Sequence, residues 1–560
     1  MEPLEGRRLT GRNWLFDQPG AAIDLPVASV AAGQMLAAKA RSRLGAVARL
    51  LGWPERVRQR AFPGGVTLGC TAPVDQLHSA VEALEWACGV AHQDQPTPAF
   101  LLQLCETERN PSLLALVDWA AQQGVPCLVD EEQVALGLGC HSLLFPIVNL
   151  PKPAEIDPVP LRQGLPIVYV TGTNGKTTTA RVLARIGKIA GFQTGSTSTD
   201  GLDLNGVRLE DGDWTGPGGA RKVLQNQEVQ AAILEAARGG LMRRGLAVSC
   251  ADVAVVTNVS DDHLGEWGLG DVEAMAEAKL MIRKGLREDG VLVVNAGSAP
   301  LLRAVARLGL ARRGPTLAWF GQDIEEVTLT QALAAGLRVA TLVQHQLAVL
   351  QGGEVLLQVP LLEIPMTFAG LALHNVDNAL AAALAASYVF PLPAIAQALR
   401  TFGTQAADSP GRLNLFKYKG ATLVVDFAHN RDGVAHLVTM LGHWPARRKL
   451  LLIGQAGDRS DDLLEGLVAA ARQWQPDHVM LKDALHYLRG RQPGEIPEIL
   501  RRLFVAHGQL PGSIEFHSTE AEALGACLDW AEPEDLLLLL IHDDFTSAVA
   551  QLHAAGAEAI

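Results

Sequence analysis

Val170-Thr171-Gly172-Thr173-Asn174-Gly175-Lys176-Thr177-Thr178 sets the architecture of this chain. It follows the β-rich run 167–170 and opens a helical pattern from Lys176 to about Ala190. Strand, glycine loop and helix, in that order, form the context a phosphate-binding loop requires. Gly172 and Gly175, flanking Thr173 and Asn174, let backbone N–H groups turn toward phosphate oxygens. Lys176 is placed to reach the β and γ phosphates of ATP. Thr177, ahead of Thr178, is placed to hold Mg²⁺. The competing reading is a glycine turn at an ordinary strand–helix junction. The general pattern GxxxxGK[ST] asks for glycine at position 170, where this chain has Val170.

Outward from the loop, strand and helix patterns alternate. Residues 229–234 and 253–256 read as buried strands and 271–286 as a helix, and residues 290–294 lead into another strand. Such alternation predicts a parallel sheet covered by helices. Upstream, residues 75–92 carry Leu77, Val81, Leu84 and Ala87 on one helical face. A helix over 111–128 meets a stop at Gly124, and a strand follows over 125–129. Five prolines between Pro151 and Pro166 predict a linker, and residues 404–411 a second boundary. Beyond it, strands are expected at 422–425, 449–453, 478–481 and 536–541. The expected class is therefore α/β: an N-terminal α+β region with its linker (1–160), a central P-loop domain with a parallel sheet (161–408), and a C-terminal Rossmann-like domain (409–560).

The chain has 560 residues, enough for three or four domains at roughly 150 residues each. Its net charge of −13 argues against a general nucleic-acid binder. Hydrophobic residues make up 48%, which excludes wholesale disorder. Seven cysteines without a CxxC pair argue against a disulfide scaffold or a zinc ribbon. The N-terminus lacks the apolar stretch of a signal peptide, and apolar runs such as 536–541 are too short to span a bilayer. A cytoplasmic protein with neither membrane nor nucleic-acid partner is expected.

Further residues carry chemistry. Glu235 ends the apolar run AAILE, and a carboxylate at a strand end beside a P-loop suits Mg²⁺; otherwise it is a solvated strand-end acid. Asn258-Val-Ser-Asp261-Asp262-His263-Leu264 follows another buried strand and suits a second metal or proton transfer, or else a polar loop with a capping Asp. Lys279, in MAEAKLMI, reads by itself as a solvated helix lysine. Asn375 and Asn378 lie at i and i+3 on one helical face; alone they read as capping or surface polarity.

Together these motifs resemble the Mur ligase superfamily over nearly everything after residue 165, and within it the Mur-type half of the cyanophycin synthetases. The TGTNGKT form of the loop carries the resemblance. So do Thr199-Asp200-Gly201, Gly212-Asp213-Trp214-Thr215-Gly216-Pro217 and Glu235-Ala-Ala-Arg238-Gly239-Gly240-Leu-Met-Arg243-Arg-Gly245-Leu246. Pro410-Gly411-Arg412, Asp426-Phe-Ala-His429-Asn430, Gly457-Asp458-Arg459 and Arg489-Gly490-Arg491 extend it. The resemblance implies Glu235 and His263 as magnesium ligands and Lys279 as a carbamate that helps bind the second Mg²⁺. It implies Asn375 and Asn378 as adenine contacts, and Arg412 and Asp426 as groups that approach ATP when the C-terminal domain closes. One departure is Asn295-Ala-Gly297-Ser298, where relatives often carry Asn-Ala-Asp-Asp.

The activity so implied is ATP-dependent, ADP-forming ligation of an amino-acid amine to a carboxylate through an acyl phosphate. The first substrate expectation is arginine added to an aspartate side chain, on an aspartate-containing or cyanophycin-like acceptor. The acids Asp458, Asp461 and Asp462 could attract a cationic amino acid and equally could be the acidic start of a helix. RRLTGRNWLF and GVPCLVDEEQVALGLGCHSLL resemble the N-terminal region of cyanophycin synthetases, and the chain leaves no room for a complete ATP-grasp domain before the Mur half. Two alternatives stand beside this one: a Mur-type ligase for a different amino acid, and a non-catalytic nucleotide-binding partner of a full-length synthetase. Homo-oligomerisation is left open.

Overall fold

The computed structural model describes residues 6–27, 30–53, 56–62, 64–89, 98–261 and 269–560. The chain divides into two compact units, Met1–Gln358 with Asp377–Ala398, and Val359–Val376 with Leu399–Ile560. The backbone therefore passes between them three times. Each unit is described by itself.

The first unit is built on an eleven-stranded sheet. Its parallel middle runs in the order Thr194–Thr197, Ala231–Glu235, Ile167–Thr171, Ala251–Val256, Leu286–Asn295 and Thr316–Phe320. Strands IVYVT and AAILE are buried at every position, as expected for interior parallel strands covered on both faces. Arg338–Val343 continues the parallel order and pairs antiparallel with Gln346–Gln351. The strands of 316–360 and the hairpin Gly201–Leu204/Val207–Asp211 add to the sequence expectation. The expected helix over 271–286 ends at Leu280 and tightens into a 3₁₀ turn, Met281–Gly285.

Strand Ile167–Thr171 lies between Ala231–Glu235 and Ala251–Val256, so the chain leaves it toward opposite sides. Such a switch point opens a crevice at the strands' carboxyl ends, where open α/β sheets bind ligands. Residues 172–175, Glu235 and residues 257–261 all lie there.

The N-terminal part of this unit has an antiparallel sheet in the order Arg7–Leu9, Gly20–Pro26, Gly65–Thr71, Val57–Phe62. Helices Val30–Leu51 and Leu77–Cys88 pack against it. Gly124 stops helix Pro111–Gln123 in the left-handed conformation (φ 65°), and strand Cys127–Val129 follows, paired antiparallel with Gln133–Leu136. The proline-rich stretch is ordered: Pro153 and Pro158 open two short helical turns, where a missing N–H costs nothing. Leu161 and Leu165 are buried. All seven cysteines are free thiols. No helix among the described residues is long and apolar enough to cross a membrane.

The second unit carries a seven-stranded sheet. Its parallel part runs Ile514–His517, His478–Lys482, Lys449–Ile453, Leu536–Leu540, Ala421–Asp426. Asn414–Tyr418 follows antiparallel, and the short strand Glu558–Ala559 pairs with it at the edge, also antiparallel. Residues 359–376 belong to this unit: Ala372 joins its core and Phe368 packs on Trp444.

Candidate active site

The phosphate loop is held from behind. Thr173 N donates to Asn258 O (3.0 Å). The Asn258 side chain accepts from Asn174 N (2.9 Å) and donates to Asn174 O (3.1 Å). Thr257 Oγ1 donates to Asn174 O (2.6 Å), and Asn295 Nδ2 to Thr257 O (2.8 Å). With the Thr173 and Asn174 amides engaged, the donors left for an anion are those of the first turn of helix Lys176–Ile189. The first N–H groups of any helix have no partner within it. Gly175 (φ 80°) starts that helix in the left-handed region, and a Cβ there would collide with Asn378 Oδ1. Both facts require glycine.

Lys176 Nζ donates to Thr173 O (3.0 Å), so its ammonium lies over the loop. Thr177 Oγ1 donates to Glu235 Oε2 (2.9 Å) and lies 3.3 Å from Thr199 Oγ1. Glu235 is 2% exposed, and its amide donates to Thr197 Oγ1 (2.9 Å). It is therefore no solvated strand-end acid. A buried carboxylate beside a hydroxyl is a hard oxygen donor set of the kind Mg²⁺ takes. Among the described residues no cluster of three or more His, Cys, Asp or Glu could hold a metal ion. Asp262 and His263 lie outside the described residues.

Lys279 is 4% exposed, contrary to the solvated-face reading of its helix. Met275, Ala276, Ala278 and Leu280 around it are buried as well, so Val272–Leu280 has no broad polar face near its end. Asn378 is buried and accepts from Thr179 Oγ1 (3.4 Å), which places it against the phosphate-loop helix. A shallow pocket opens beside Glu235, lined by Tyr169, Thr215, Gly216, Ala220, Leu241 and Gly245.

In the second unit, Asp426 ends strand Ala421–Asp426 and is buried. Its oxygens accept from Leu413 N (2.8 Å) and Ala428 N (2.7 Å). Burial pushes its pKa above the usual carboxylate range, against the pull of nearby Arg412. The Arg412 guanidinium donates to Gly411 O (3.0 Å) and lies over the Phe427 ring at 4.5 Å. Asn375 Nδ2 donates to Met366 O (2.9 Å). Asp458 pairs with Arg489, and Asp461 with Arg491 (3.1 Å). The acidic run is thus largely answered by the arginines of the Arg489-Gly490-Arg491 motif.

Sequence reasoning passed over two further groups. Lys482 is fully buried and ion-paired with Glu520. Glu520 also accepts from the amides of His542 (2.7 Å) and Asp543 (3.2 Å), fixing the loop after strand Leu536–Leu540. His374 stacks on His436 with ring centroids 5.7 Å apart. Its place before Asn375 was the only available signal.

Residues 170–386 match the Mur ligase middle domain, and residues 411–540 the Mur ligase glutamate ligase domain. Cyanophycin synthetase of Synechocystis sp. (strain ATCC 27184 / PCC 6803 / Kazusa) is 36% identical over 67% of this chain and 42% of its own length. That of Geminocystis herdmanii is 37% identical over 61% of this chain and 38% of its own. The chain thus spans about two fifths of these relatives. UDP-N-acetylmuramoyl-L-alanyl-D-glutamate–2,6-diaminopimelate ligase of Pseudomonas aeruginosa is 30% identical over 68% of this chain and 74% of its own length. Among solved structures, E. coli FolC in complex with DHPP and ADP is similar over 70% of this chain and 88% of that one, at 21% identity and a TM-score of 0.49. With both Mur ligase domains matched in order, and a diaminopimelate ligase matched along most of its length, the chain belongs to the Mur ligase family.

Proposed function

We propose that the chain is an ATP-dependent, ADP-forming ligase that joins the amine of an amino acid to a carboxylate. The observation that carries this reading is the Thr177 hydroxyl bonded to the buried Glu235 carboxylate beside the phosphate loop, at the switch point of the sheet. The acceptor carboxylate attacks the γ-phosphorus of ATP, giving an acyl phosphate and ADP. The amine then attacks the acyl carbon, releases phosphate and loses a proton.

The first-turn amides of helix Lys176–Ile189, Thr178 among them, bind the phosphates, and Gly172, Thr173, Asn174 and Gly175 shape the loop around them. Lys176 leaves the Thr173 carbonyl to meet the β and γ phosphates as charge builds on them. Thr177 and Glu235, with His263 and a carbamylated Lys279, are the groups that would hold magnesium. When bound, the metal neutralises phosphate charge. Lys279 is buried near the end of helix Val272–Leu280, and it is the lysine that the resemblance assigns to the carbamate. Asn375 and Asn378 contact the adenine; Arg412 and Asp426 contribute from the C-terminal unit, Arg412 by meeting phosphoryl charge.

The resemblance to cyanophycin synthetase makes arginine the first amine and an aspartate side chain the first acceptor, in the cytoplasm. Mass spectrometry of ATP-dependent products tests this, with an amino-acid panel, aspartate-containing peptides as acceptors and Lys176→Ala as control. A gain of one arginine residue, absent from the control, is expected. A gain with another amino acid replaces the substrate and keeps the chemistry. ATP binding without any ligated product across the panel removes the ligase reading.

A further inference from the structure

The segment Arg7-Arg8-Leu9-Thr10-Gly11-Arg12-Asn13 takes no part in the chemistry above. It lies along residues 244–246. Thr10 N donates to Arg244 O (3.0 Å), Leu246 N donates to Arg12 O (2.9 Å), and a Cβ on Gly11 would collide with Leu246 O. This docking gathers three arginines from distant parts of the first unit.

Arg221, on helix Pro217–Gln225, is 7% exposed. It donates to Thr10 Oγ1 (3.2 Å), and its buried Nε has no hydrogen-bond partner. No carboxylate pairs with it among the described residues. Thr10 Oγ1 reaches Arg244 O (3.5 Å) as well, so one hydroxyl links the two arginine positions. Arg244 is exposed and makes no side-chain hydrogen bond or ion pair among the described residues. Arg8 pairs with Glu131 (2.8 Å) and meets His78 Nε2 (2.8 Å).

The charges are unbalanced. Among the described residues, Arg8 and Arg221 lie near Asp130 and Glu131, and Arg8, Arg221 and Arg244 together outnumber those two acids. Burial holds the Arg221 and Arg244 pKa values below the usual guanidinium range, and the neighbouring arginines push the same way. A local cationic excess with a buried, unpaired guanidinium edge is costly unless an anion answers it. It stands out in a chain of net charge −13. The cluster also adjoins the pocket beside Glu235, because Ala220, Gly245 and Tyr169 line that pocket and flank the arginines in sequence or in space.

We propose that Arg8, Arg221 and Arg244 bind the carboxylates of an acidic peptide, holding side chains next to the one that is ligated. The proposal rests on the ligase reading and assigns the residues that hold its acceptor. Guanidinium groups suit it because each can grip a carboxylate with two parallel hydrogen bonds.

The test is fluorescence anisotropy of the full chain with labelled hexa-aspartate, without nucleotide, alongside acceptor KM in the ligation assay. Arg244→Gln and Arg221→Gln are each expected to weaken hexa-aspartate binding about tenfold, as for truncation of a charged contact. Both are expected to raise the acceptor KM and leave the KM for ATP unchanged. Arg221→Lys keeps the charge and is expected to recover part of the binding. Because Arg244 is exposed, its variant tests the proposal even if Arg221→Gln fails to fold. Unchanged affinity in Arg244→Gln overturns the proposal. So does polyuridylate or inorganic phosphate displacing hexa-aspartate at equal concentration of charge. Arginine-dependent hexa-aspartate binding without ligation of any amino acid sinks the ligase reading alone. Ligation with binding indifferent to both arginines sinks this proposal alone.

Discussion

Two strand ends in this molecule are built alike and stabilised in opposite ways. Strand Ile167–Thr171 runs into Gly172–Gly175 and a helix; strand Ala421–Asp426 runs into 427–430 and helix Arg431–Leu441. The first loop is held by neutral groups, chiefly the Asn258 amide and the Thr257 hydroxyl. The second turns a carboxylate inward, where Asp426 binds the amides of its own loop. Around it lie a buried Lys482–Glu520 pair and the half-buried His374 and His542. A loop held by amides keeps its shape across pH and leaves helix donors for a ligand. A loop held by buried ionisable groups is tied to their protonation.

The comparison can be broken at its heaviest point first. Lys482→Met leaves the Glu520 carboxylate buried without its cation, at an expected cost of about 3–5 kcal/mol. Denaturant unfolding followed by hydrogen exchange should place that loss in residues 399–560 and spare the phosphate loop. Equal loss in both units would mean that the two loops do not differ as described. Next, Gly175→Ala combines a left-handed backbone with a collision against Asn378, and strain of this kind costs about 1–3 kcal/mol. Calorimetry should show ATP affinity falling by at least about tenfold. Asn258→Ala removes two hydrogen bonds to Asn174; a loss of about 1–2 kcal/mol in ATP affinity is expected, with little change in thermal stability.

The smallest effect sharpens the comparison by pH. Burial lowers the His374 pKa to about 3, with a like-charge contribution from His436, and holds His542 well below its ordinary value. The unfolded chain takes up those protons near pH 6.5, so it binds more protons than the folded chain below that point. The stability these neutral histidines preserve is complete above about pH 6.5 and is lost as pH falls toward about 3. Hydrogen exchange at pH 7 and pH 5 should show protection falling faster in the second unit than around residues 172–175. Parallel loss in both would remove the distinction.

Much of this was legible in the chain. The glycine loop announced itself because strand, loop and helix are consecutive, and Glu235 because an acid interrupts an apolar run at its end. Lys279 misled for a physical reason: helix Val272–Leu280 is buried around most of its last turn, so spacing carries no information about which side faces water. The prolines of 151–166 promised a break and instead begin turns that bury Leu161 and Leu165. The Arg8–Arg221–Arg244 cluster could not be read at all, because Arg8 lies more than two hundred positions from the other two and meets them only through the Thr10 docking.

The three passages of the backbone between the units bear on how the chain is made. On the ribosome, residues 359–376 emerge before residues 399–560 exist, so Ala372 and Phe368 must wait without the core they complete. The first unit waits too, since Asn378 reaches the phosphate-loop helix only from the segment 377–398. Neither unit is a contiguous stretch of gene. A nick by a protease at any single crossing leaves two other covalent tethers, and a fragment ending near residue 400 carries an orphaned piece of the other unit. Folding here is interleaved rather than sequential, and the last-made segment closes a unit begun long before it.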